Sequence, residues 1–158
     1  MQRQGVSGGH RHPAGGGIMA KKRVLVVDDH PPTVKIIRRA LEGEGLEVCE
    51  AANGADCLLA VESEQPDLVI LDVMMPVMDG FQTLRVLREG EHTKYLPVIM
   101  LTCCKEDRDV LRGWMTGVDL YLTKPFQIPE LLTAAKRILS VTDSEAAGGE
   151  PEGRPPSC

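Results

Sequence analysis

Residues 19–141 predict an α/β protein with a parallel sheet, and three observations carry that expectation. Apolar, strand-like runs alternate with helical stretches five times. The run "VLVV" at 24–27 has no polar alternation, as in a strand buried on both faces. The helical stretches instead gather apolar residues on one side, at helical spacing, so each covers a sheet face.

The first strand, 23–28, leads into adjacent carboxylates, Asp28 and Asp29, and an imidazole, His30. In the helix after it, 32–44, Val34, Ile37 and Leu41 share a side. Pro32 suits its first turn, where a missing N–H is harmless, and Gly43 and Gly45 suit its end. The second strand, 47–51, exits into "AANG", which has no reactive group, before a helix at 54–64. The third strand, 67–72, delivers Asp72 and precedes a helix at 80–90. The fourth, 97–102, delivers Thr102 ahead of a helix at 105–116, where Trp114 falls with Val110 and Leu111 on the inward side. The fifth, 119–123, is followed by Lys124 and a helix at 127–140. There Leu131, Leu132, Ala135, Ile138 and Leu139 share a side, and Pro129 suits the first turn.

Outside this region the composition changes. Residues 1–18 are Gly-rich without periodic apolar residues, and are expected to be a disordered leader, with Met19 a natural start. His10 and His12 read as part of that leader. Residues 142–158, rich in Gly, Pro and Glu, are expected to form a disordered tail too short for a second domain.

Eighteen basic residues against twenty-three acidic ones, with no dense basic run, argue against direct nucleic-acid contact. No apolar stretch approaches the roughly 20 residues of a membrane span, and no signal peptide is present, so a cytoplasmic protein is expected. Cys49, Cys57, Cys103, Cys104 and Cys158 are odd in number and lack CxxC spacing. Neither a disulfide framework nor a zinc site is indicated, and the cysteines are expected to be reduced thiols, the first four largely packed.

Right-handed crossovers place every strand C-terminus along one edge. Asp28, Asp29, Asp72, Thr102 and Lys124 would then share a site beyond that edge, where ligands of open parallel sheets gather. Two carboxylates about 4 Å apart repel by on the order of 4 kcal/mol at an effective dielectric near 20. A proton or a cation must intervene. Oxygen-only ligands favour a hard ion, and Mg²⁺, which keeps several waters and is often shared with phosphate oxygens, fits better than zinc.

The segments "VLVVDDH", "DLVILDVMMPVMDGF", "PVIMLTCC" and "DLYLTKPF", in this order over 23–126, resemble the receiver domain of two-component response regulators, of the stand-alone, chemotaxis-regulator-like type. The resemblance implies a flavodoxin-like, doubly wound five-stranded sheet in order 2-1-3-4-5 with five helices. It implies that Asp72 accepts a phosphoryl group from a histidine kinase or phosphotransfer protein, as a signalling phosphoacceptor rather than a turnover enzyme. Asp29, Asp72 and the backbone carbonyl of Met74 would be the Mg²⁺ ligands, and Asp28 would act mainly through metal-bound water. Lys124, aimed by a cis peptide before Pro125, and Thr102 would hold the phosphoryl group. Thr102 and Tyr121 would form the switch that alters the face made by the fourth helix, fifth strand and fifth helix, to which a target protein binds.

Several positions depart from the pattern or extend it. Met74 is bulky and apolar where it can hinder the water of autodephosphorylation, and Cys103 stands where the family prefers small residues. Met115 and Leu120 take positions often polar in the family, and could form an apolar patch for a partner or a second copy. Rival readings are a pseudo-receiver that binds protein without phosphorylation, an aspartate-nucleophile phosphatase, and a flavin-binding protein. The first commonly lacks an acid or the lysine retained here; the second usually carries an Asp where Met74 stands; the third would find its phosphate repelled by "DDHPPTV". With only the tail after the last helix, output is expected to pass through another protein.

Overall fold

The computed structural model describes the backbone of residues 21–103 and 118–148, with side chains to residue 140. Five parallel strands form one sheet in the order β2-β1-β3-β4-β5: β1 (Arg23–Val27), β2 (Glu47–Ala51), β3 (Leu68–Asp72), β4 (Val98–Thr102) and β5 (Leu120–Thr123). The described helices are α1 (Pro31–Gly43), α2 (Gly54–Glu64), α3 (Gly80–Glu89) and α4 (Ile128–Gly148), and α4 corresponds to the last helix expected from the sequence. The helix expected at 105–116, with Trp114, Val110, Leu111 and Met115, lies outside the described residues, as do the two termini and Cys104.

The unbroken apolar runs follow from the sheet having a core on each face. Val24, Val26, Leu68, Ile70, Ile99 and Leu101 pack with Val34, Ile37 and Leu41 of α1 and Leu131, Ala135 and Leu139 of α4. The intervening residues Leu25, Val27, Val69, Leu71, Val98 and Met100 face Cys57 and Val61 of α2 and Leu84 and Leu87 of α3. Successive side chains of one strand thus feed opposite cores, so none of the central positions can be polar until the strand ends. Edge strand β2 is less buried and carries Glu47 and Glu50, which blunts it against pairing with another sheet.

Helix starts are set locally. Pro31 and Pro32 occupy the first turn of α1, one residue earlier than expected, where their missing N–H groups break no bond. Asn53 caps α2 by accepting from the Asp56 N–H at 2.8 Å. Asp79 and Gln82 form a reciprocal capping box at the start of α3.

Three expectations are corrected. The last helix runs on to Gly148, so 142–148, assigned to a disordered tail, are helical: extending an existing helix through Glu145, Ala146 and Ala147 avoids the cost of nucleation. Leu120 is half-buried against the core of α1 and α4, and so belongs to packing rather than to an exposed patch. Cys57 is buried and Cys49 half-buried, but Cys103, one residue past β4, is exposed. Burial pushes the Cys57 thiol up to about 12 and Cys49 to about 11, so both stay protonated and inert.

Candidate metal centre

All the chemistry-bearing residues expected at the strand exits lie on the edge where β1, β3, β4 and β5 end. Asp28 is the first residue beyond β1. Its N–H donates to the Ala51 carbonyl at 3.1 Å, and its carboxylate accepts from the His30 N–H at 2.9 Å. Only 3% of the residue is exposed. Asp72 is the last residue of β3, registered against Leu101 of β4, and is buried. Asp29 is exposed. One carboxylate oxygen from each of Asp28, Asp29 and Asp72 lies within 4.8 Å of the others, the one such acidic, histidine or cysteine group among the described residues.

Lys124 enters from the residue after β5. Its Nζ stands 2.7 Å from Asp72 Oδ1 and 3.5 Å from Asp28 Oδ2. The Lys124–Pro125 peptide is cis. Thr102, buried at the end of β4, accepts from the Lys124 backbone N–H through its carbonyl at 2.7 Å. Tyr121 is registered against Met100 and is half-buried against the core of α2 and α3. Met74, two residues past Asp72, is 63% exposed.

The electrostatics follow from this crowding. Burial lifts the Asp72 carboxyl to about 6; the Lys124 hydrogen bond pulls it down, and the charge of Asp28 pushes it up again. Burial pulls the Lys124 ammonium down, but its contacts with Asp72 and Asp28 outweigh that and leave it above its ordinary value. Lys124 therefore stays charged, yet one ammonium faces three carboxylates. An all-oxygen donor set in that excess, open to water on the Asp29 side, fits a hard divalent cation.

Asp28, Asp29, Asp72, Lys124 and Thr102 are thus gathered in one place, while Tyr121 is half-buried against the core of α2 and α3 and Met74 is largely exposed. The sequence reading did not anticipate the caps at Asn53 and Asp79. The Asp-x-x-Gln spacing of 79–82 carried the signal for the second.

A family model described as the response regulator receiver domain matches residues 24–136. Among curated proteins, the chain is 38% identical over 121 residues to the DNA-binding dual master transcriptional regulator RpaA of Synechocystis, covering 77% of this chain and 50% of RpaA. It is 39% identical over 131 residues to the phosphate regulon transcriptional regulatory protein PhoB of Pseudomonas aeruginosa, covering 81% and 57%. The chain therefore spans about half the length of these relatives. Among solved structures, the response regulator TrrA of Thermotoga maritima, in complex with Mg²⁺-BeF, superposes with a TM-score of 0.67 at 35% identity, covering 74% of this chain and 98% of TrrA. The receiver domain of the sensor histidine kinase PA1611 of Pseudomonas aeruginosa, with magnesium coordinated in its active-site cleft, gives 0.69 at 30%, covering 77% and 99%.

Proposed function

Because the chain belongs to the response regulator receiver domain family, we propose that it is a phosphoacceptor switch in which Asp72 takes a phosphoryl group from a histidine kinase or a histidine phosphotransfer protein. The observation that carries this reading is the buried Asp72 carboxylate, 2.7 Å from the Lys124 ammonium and grouped with Asp28 and Asp29.

At neutral pH Asp72 is mostly ionised, the form that can attack. One of its oxygens bonds to phosphorus as the bond from phosphorus to the donor's histidine nitrogen breaks, and the imidazole leaves. Lys124 releases its grip on Asp72 to pair with an oxygen of the incoming group, and the Thr102 hydroxyl donates to another. Asp29, Asp72 and the Met74 carbonyl would hold Mg²⁺, with Asp28 reaching it through water; the magnesium present in TrrA and in the PA1611 receiver domain supports Mg²⁺ as the ion. When bound, the ion neutralises the acids and the charge on the phosphoryl oxygens.

Occupied, the site would draw the Thr102 hydroxyl inward and let the Tyr121 ring turn, shifting the balance between two packings of the surface around β5 and α4. That surface would contact a target protein, or a second copy of this chain. Among the described residues no helix is long and apolar enough to cross a membrane. Met74 would shield the acyl phosphate from water, so the phosphoryl lifetime is expected to be longer in the wild type than in Met74→Asn. Equal lifetimes would remove that role.

Incubation with acetyl phosphate or phosphoramidate and Mg²⁺, followed by phosphate-affinity electrophoresis and mass spectrometry, tests the reading. A single phosphate on Asp72, lost in Asp72→Asn and on chelation of Mg²⁺, is the expected result. A wild type that stays unmodified, with these donors and with phosphorylated histidine kinases alike, overturns it in favour of a non-phosphorylated protein-binding module.

A further inference from the structure

The second strand exit, "AANG", contributes no reactive group, yet it touches the loop that follows Asp72. The Gly54 N–H donates to the Met78 carbonyl at 3.2 Å. A Cβ on Gly54 would stand 2.6 Å from that carbonyl oxygen and 2.1 Å from the Thr83 hydroxyl. Thr83 is fully buried and donates that hydroxyl to the Asp79 carbonyl at 2.7 Å, so it cannot turn aside without leaving a buried group unpaired.

Gly80, the first residue of α3, closes the other end of the same loop. A Cβ there would lie 2.5 Å from the carbonyl oxygen of Asp72 and 2.8 Å from Cα of Val73, both backbone atoms with no rotamer to yield. The Gly80 N–H donates to the Val73 carbonyl at 2.9 Å, and the Val73 N–H in turn donates to Leu101 of β4 at 3.0 Å. Neither Gly54 nor Gly80 has a positive φ, so close approach, rather than an unusual backbone conformation, demands glycine at both positions.

We propose that Gly54 and Gly80 are positioning residues for the phosphoryl-transfer site: they let the starts of α2 and α3 close on the 73–79 loop and fix it against the backbone of Asp72. The inference rests on the proposed function. The loop carries Met74, the residue whose carbonyl is assigned to the metal, so the spacing between that carbonyl and the Asp72 carboxylate is set by two contacts that involve no ligand. An added methyl group at either glycine would shift the loop or the acceptor by a fraction of an ångström to about an ångström, a displacement that costs catalysis more than it costs folding.

The test compares Gly80→Ala and Gly54→Ala with Gly43→Ala, where an added Cβ meets nothing within 4 Å. For each, the rate of phosphorylation by phosphoramidate is measured against Mg²⁺ concentration, and folding is checked by circular dichroism and urea titration. The expected result is a fold retained in all three, with the maximal rate or the apparent Mg²⁺ affinity lowered about tenfold to a hundredfold in Gly80→Ala and Gly54→Ala only. In the double variant Gly54→Ala/Thr83→Ala, which removes the closest contact, part of the loss should return. Wild-type rates and Mg²⁺ affinity in a folded Gly80→Ala and Gly54→Ala overturn the proposal. So does loss of folding in both, which would make these glycines structural alone. A wild type that binds Mg²⁺ but takes no phosphate defeats the functional reading instead, and the glycines are then judged on Mg²⁺ affinity.

Discussion

The two ends of the same sheet hold similar charges at different depths. Where β1 begins, Arg23 meets three acids: its guanidinium reaches Glu47 at 2.8 Å and Glu64 at 3.6 Å, and its backbone N–H donates to Asp67 at 2.8 Å. These groups are partly exposed, so the pairing is modest in energy and serves to tie β1, β2 and α2 together. Where β1 and β3 end, two buried acids and an exposed one share a single lysine. One basic residue meets three acids at each end, but at the half-exposed edge water screens the excess, and the pairing holds a structure. The same excess when buried is a standing cost that a proton or a bound cation relieves.

Four substitutions or additions test that contrast, from the strongest effect to the weakest. Lys124→Met is expected to slow phosphorylation by a small donor about 10²- to 10³-fold, while Arg23→Gln leaves it unchanged. Equal losses in a phosphorylation time course would erase the difference between the two ends. Next, Mg²⁺ at a hundredfold excess over its Kd should stabilise the wild type by about 2.7 kcal/mol in urea titration, and much less in Asp72→Asn. A stabilisation independent of Asp72 would place the ion elsewhere.

The third test concerns pH. A carboxyl whose folded pKa of about 6 exceeds its ordinary 3.8 binds its proton more tightly when folded. Its contribution to folding is therefore present in acid and lost as pH rises through about 4 to 6. Without Mg²⁺, Asp72→Asn should then be more stable than the wild type at neutral pH by roughly 1 to 3 kcal/mol, with no difference below about pH 4. A less stable variant at neutral pH would contradict the charge surplus.

Last, the backbone also differs between regions. The turn leading into β2 places Gly45 at φ 85°, whereas the loop beyond Asp72 holds the β-branched Val77 at φ 67°. Relief of that strain in Val77→Gly should add about 1 kcal/mol, measured by thermal melting, less what the added chain freedom removes. A clear loss of stability would show that Val77 is held there by contacts and not against its preference.

Most of the sheet and most of the site could be read from residue order. Runs such as "VLVV" announce strands buried on both faces, and because parallel strands end on one edge, Asp28, Asp29, Asp72, Thr102 and Lys124 fall together without further information. Less was legible where contact between distant segments decides. Nothing in "AANG" or "DGF" reveals that Gly54 meets Met78 or that Gly80 meets Asp72, since both glycines also read as ordinary turn residues. The exposure of Cys103 and the burial of Leu120 depend on what packs beside them, which a single strand's pattern does not state. The helical stretch 142–148 is composed like a linker, and owes its form to the helix it continues.

The hydrogen bond from the Lys124 amide to the Thr102 carbonyl yokes two neighbouring exits. With their main chains tethered at 2.7 Å, threonine cannot slide as a unit toward a newcomer without towing the lysine along. A swing of the hydroxyl about its own side-chain torsion is the cheaper response, so the message would start as the turning of one rotor over an almost motionless floor.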